Sequence, residues 1–96
     1  MNKFIIKRQM VELCDSIVRN INDNFRNISF NMDDNNNIRI KIILDFITEK
    51  ESEYIDDIIT EFEAAQENDI VKEVEITTDT DSTPFLYVVY SRKGSG

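Results

Sequence analysis

Nineteen Asp and Glu side chains and a single cysteine are the groups in this chain best suited to move a proton, attack an electrophile or hold a cation; histidine is absent. Without histidine the commonest general base, the commonest zinc and iron ligand and the usual partner of a Ser or Cys nucleophile are all missing. A carboxylate can do acid–base work only where an apolar pocket or a close charge shifts its pKa. The densest group of acids reads as an exposed helix face, and Asp45, between Leu44 and Phe46 in a strand, points outward. Asp33-x-Asn35-x-Asn37 opens with calcium-loop spacing, yet Ile38 takes the glycine position and Leu44 the place of the closing glutamate. Asp79-x-Asp81-x-Thr83 fails for the same reasons, and both segments read as turns bonded to their own backbone. Cys14 falls on an apolar helix face as a small hydrophobe, whereas a reactive thiol wants a basic, accessible site. One cysteine forms no internal disulfide and suits a reducing cytosol. The two glycines are Gly94 and Gly96, so no glycine-rich phosphate loop exists. No catalytic residue, cofactor or metal is expected, and the chain reads as a non-enzyme.

The acids are placed unevenly. Of a net charge of −8, residues 49–69 hold nine acids against Lys50 alone, and the two flanks cancel each other. At about 100° per residue, Glu53, Asp56, Asp57, Glu61, Glu63 and Glu67 fan across the side of a helix opposite Ile55, Ile58 and Phe62. Like charges three and four apart cost a helix a few tenths of a kcal/mol per pair. A need for solubility alone more often interleaves Lys with Glu. The ridge is either a solvated face of an acidic protein or a docking surface for a basic partner. Nucleic acid is a poor partner, because its binding needs clustered Lys and Arg.

The elements that must carry this ridge follow from periodicity. Residues 1–93 form one α+β domain, and Gly94-Ser95-Gly96 reads as an appended flexible tail. Ile6, Met10, Leu13, Cys14, Ile17, Ile21 and Phe25 predict a helix over residues 3–27. Ile28, Phe30 and Met32 alternate as a strand, Asp33 to Asn37 turn, and a second alternation runs from Ile38 to Ile47. Thr48 and Glu51 have capping-box spacing ahead of an apolar stripe from Tyr54 to Ala65. A third strand starts at Val71, and the continuous apolar run Phe85–Tyr90 predicts a fourth in the centre of a sheet. The order αββαββ implies a four-stranded, mostly antiparallel sheet with two helices on one face. The other face would be partly open, making Arg39, Lys41, Ile43, Asp45 and Ile47 a second candidate surface. Ile43 and Ile47 are then exposed, or covered by a partner, a loop or the chain end. No apolar run is long enough to cross a membrane, and Glu12 and Asp15 break any secretory signal, so a cytoplasmic protein is expected.

In small size, αββαββ order and the acids from Glu53 to Glu67 on one helix, the chain resembles the small acidic immunity proteins that bacteria make against contact-dependent and other polymorphic toxins. It also looks like phage-encoded inhibitors of bacterial nucleases, which imitate nucleic acid with acidic surfaces. Neither group offers a fixed motif, so no functional residue carries over. Both resemblances imply a stoichiometric inhibitor that blocks a basic, nucleic-acid-acting toxin or nuclease through charge. The alternative is a structural or regulatory oligomer joined through the open sheet face or the last strand. Salt-sensitive binding to a basic protein separates the first from the second, which would instead change size with its own concentration.

Overall fold

Leu13 and Ile17, one helical turn apart, are buried and seat helix α1 (Lys3–Val18) on the body of the protein. The computed structural model describes residues 3–35, 37–66 and 70–92. After α1 come strands β1 (Phe25–Met32) and β2 (Ile38–Leu44), helix α2 (Glu49–Ala64), and strands β3 (Val71–Thr77) and β4 (Tyr87–Ser91), the expected order. Helix α1 is shorter than the apolar spacing predicts. The Asn20 backbone N–H donates to the Ile17 carbonyl, and its side-chain Nδ2 donates to the Ser16 carbonyl at 2.9 Å. Asn22 Oδ1 then accepts the Asn24 N–H at 3.0 Å, turning the chain. Short amides that bond local backbone compete with the helix, and they win here although Ile21 and Phe25 continue its apolar stripe. Phe25 reaches the core as the first residue of β1 instead, with no exposed surface.

The strand order is β3-β2-β1-β4. β1 is antiparallel to β2 and β4, while β2 and β3 are parallel, so the sheet is mixed. A helical crossover such as α2 is what brings the chain back to lay a parallel neighbour. Ile28 faces Ile42, Phe30 faces Ile40 and Met32 faces Ile38 across the hairpin. These rows bury against Leu13, Ile17, Ile55, Ile58 and Phe62 of the two helices. The turn is held by Asp33, whose Oδ1 accepts the N–H groups of Asn35 and Asn37 at 2.8 and 3.0 Å. Those donors, Asn37 first, keep the Asp33 carboxyl below its usual pKa.

Strand β4 is an edge strand, not a central one. Its apolar run is accounted for differently: Tyr87 packs on Phe30 with ring centroids 5.2 Å apart, while Leu86 and Val88 remain exposed. Because β3 and β4 lie on opposite edges, residues 78–86 must span three inter-strand spacings, about 14 Å. They do so across the face away from the helices. Lys41 Nζ donates to the Thr83 carbonyl at 2.8 Å and sits over the Phe85 ring. The Phe85 and Leu86 N–H groups donate to Ser29 Oγ and Asn31 Oδ1 at 2.8 and 2.9 Å. The face expected to be open is thus strapped by the chain itself, and Ser29, Lys41 and Ile43 lie buried beneath or beside the strap.

Candidate interaction surface

Thr48 and Glu51 start α2 with the expected capping box. Glu51 does more than cap. Its Oε1 accepts the Thr48 N–H at 2.7 Å and the Thr48 hydroxyl, and its Oε2 accepts Asn22 and Asn24 side chains at 2.7 and 3.2 Å. The carboxylate is 2% exposed. The Thr48 hydroxyl first and the Asn22 amide second hold its pKa down to about 2. It locks the start of α2 to the α1–β1 turn. Spacing alone marked the cap but gave no sign of the two asparagines, which come from a segment that reads as helix.

The predicted ridge divides into three groups. Glu53, Asp56 and Asp57 are exposed. None of the ion pairs among the described residues involves them. Glu61 is turned toward α1, where its Oε2 accepts Asn20 Nδ2 at 2.8 Å and lies 3.9 Å from Arg19 Nε. It ties the two helices together, so it is half committed to the fold. Glu63 is half-buried on the opposite flank, and Glu67 lies outside the described residues.

Beside the exposed acids the surface is apolar. Ile47, Ser52, Ile55, Asp56 and Ile76 line a shallow groove of 280 Å³. Ile47 and Ile76 are each 42% exposed, and Phe46, next to Ile47 in the chain, is exposed as well. Ile76 pairs with buried Ile42 on the core side of the sheet, at the edge where the cover of α2 ends. Periodicity cannot reveal this groove, because Ile47 follows β2 in a loop, Ile76 lies in β3, and the parallel β2–β3 pairing is what brings them together.

The second candidate surface is largely occupied. Lys41 and Ile43 are buried, and Lys41 Nζ also pairs with Glu75 at 3.2 Å. Arg39 stays exposed and pairs with Glu73 at 3.6 Å. Asp45 accepts Arg92 at 2.7 Å and Arg26 at 2.8 Å, which together hold its carboxyl below the usual range, Arg92 foremost. It fastens the ends of β1, β2 and β4. Arg26, Asn27 and Arg92 also line a 210 Å³ pocket into which no uncommitted cation is offered. Only Ile47 of this set contributes to the exposed groove.

Cys14 is half-buried with Sγ 3.6 Å from the Val89 carbonyl, and burial, then the charge of Asp15, push its thiol pKa up. No cluster of metal-ligating side chains occurs among the described residues. No helix among them is long and apolar enough to cross a membrane. What the surface offers is a rigid helix with outward carboxylates beside an apolar groove, the makings of a protein contact. A model of the MafI2 immunity protein family matches residues 7–93. The chain belongs to that family. No curated protein matches it. Membership implies a toxin as partner and a toxin-inhibiting role, and such immunity proteins are generally not enzymes. It also agrees with the resemblance drawn from the acidic helix and the αββαββ order.

Proposed function

We propose that this immunity protein acts in the cytoplasm as a stoichiometric inhibitor of a basic, nucleic-acid-acting toxin, docking through the outward face of α2. The supporting observation is that Glu53, Asp56 and Asp57 are exposed and have no ion-pair partner among the described residues. Carboxylates held on a capped helix sit where phosphates would meet a basic toxin, and they steer its approach. Glu63 extends the field at the rim. Glu61 contributes less, since one of its oxygens serves α1.

The test is binding kinetics against the cognate toxin domain, for which the adjacent reading frame is the first place to look. Changing Glu53→Lys and Asp57→Lys together should weaken binding more than tenfold, mostly through slower association, with circular dichroism unchanged. Raising salt should slow association by the parent protein and affect the double variant less. Unchanged kinetics in the folded double variant would remove the acidic face from the mechanism. The oligomer reading loses its expected surface, since Ile43 is 3% exposed; what remains to it is the free edge of β4 with Leu86 and Val88. A size that rises with concentration in the absence of toxin would favour it.

A further inference from the structure

We infer that the groove between α2 and the end of β3 receives one apolar side chain of the toxin, presented beside a Lys or Arg that pairs with Asp56. This rests on the proposed docking through α2 and names the part of that contact that holds the complex together. Ile55 forms the buried floor at 5% exposed, and Ile47 and Ile76 are partly exposed walls. Asp56 is on the groove's rim, with Glu53 one turn before it on the same exposed side.

The charge around the groove selects its occupant. An aliphatic side chain from an acidic partner would bring like charges against Asp56 and Glu53. A second copy of this chain, with its net charge of −8, meets the same repulsion. An apolar residue flanked by Lys or Arg satisfies both walls and rim. Its cation also loses water next to Asp56 as the apolar contact closes, which strengthens the pair. Interfaces concentrate their energy in such central anchored positions, while exposed rim charges act on encounter. The exposed acids and the groove therefore divide the work: Glu53 and Asp57 set association, and Ile47 and Ile76 set dissociation.

The experiment measures association and dissociation with that same cognate toxin domain. Ile47→Ala with Ile76→Ala should dissociate more than tenfold faster while associating within about twofold of the parent, with its salt dependence kept. Ile47→Arg is a second variant at an exposed loop position, checked by thermal melting, and should lose more by meeting the toxin's cation. Unchanged dissociation in both folded variants, with Glu53→Lys/Asp57→Lys still impaired, overturns the groove and leaves the acidic face standing. Unchanged kinetics in all three overturns both. If the isolated chain forms a dimer that Ile47→Arg dissolves, the groove belongs to a second copy and the inference falls.

Discussion

Glu51 and Glu53 are two positions apart, yet their roles are opposite. Glu53 faces water, while Glu51 accepts from Thr48, Asn22 and Asn24 and is almost wholly enclosed. A carboxylate held this way is stabilised in its charged form, so its folded pKa of about 2 lies below the ordinary 4.5. Its contribution to stability is complete above the ordinary value and is lost as pH falls from about 4.5 toward about 2. Glu51→Gln should be less stable than the parent at neutral pH, and the difference should shrink steadily through that acid window. Denaturant midpoints taken at pH 7 and at intervals down to pH 2 check this. A gap between the two proteins that stays constant with pH would mean that the carboxylate charge contributes nothing. Asp33 and Asp45 also have lowered pKa values, so both proteins weaken in acid and only the gap between them reports on Glu51.

The second helix shows what an amphipathic pattern does and does not specify. Phe62 has no exposed surface and lies between α2 and the sheet. Phe62→Ala should cost about 3–5 kcal/mol in equilibrium unfolding, and a loss under about 1 kcal/mol would place the helix on another face. The inward stripe was legible because burial repeats with the helical period: Ile55, Ile58 and Phe62 are all core. The outward side was legible only as a side. Glu61 carries the same spacing as its exposed neighbours, but it meets Asn20 because α1 happens to lie along that flank. Likewise, Ile21 and Phe25 continue the stripe of α1, yet the amides of Asn20 and Asn22 end the helix before them. The run from Phe85 to Tyr90 reads as a doubly covered strand. In the fold it is an edge, since nothing within a strand's own residues states which neighbours it will have.

At the scale of the whole molecule, residues 78–86 turn a half-covered sheet into one closed at its middle. Ser29 holds this strap by accepting the Phe85 N–H, and Lys41 holds it by donating to Thr83. Ser29→Ala leaves that N–H without its acceptor and should cost about 1–3 kcal/mol. Faster hydrogen exchange at Phe85, with β2 still protected, would locate the loss; equal exchange in the two proteins would show that the strap does not depend on Ser29. The strap also imposes an order on assembly. Strand β1 meets β2 through a short turn, but its other neighbour arrives only after α2, β3 and the strap have been made. During synthesis the β1 edge that faces β4 therefore waits, bare, while the hairpin and its crossover are already in place. Pairing across such a separation is slow, because chain entropy is lost before contacts repay it. A nascent chain stalled before β4 would present an unpaired edge to its neighbours, and where copies are concentrated a late-arriving β4 can enter another copy's sheet in place of its own. Crowded expression should thus produce strand-exchanged dimers from incomplete folding, in proportion to how slowly the last five-residue strand finds its place.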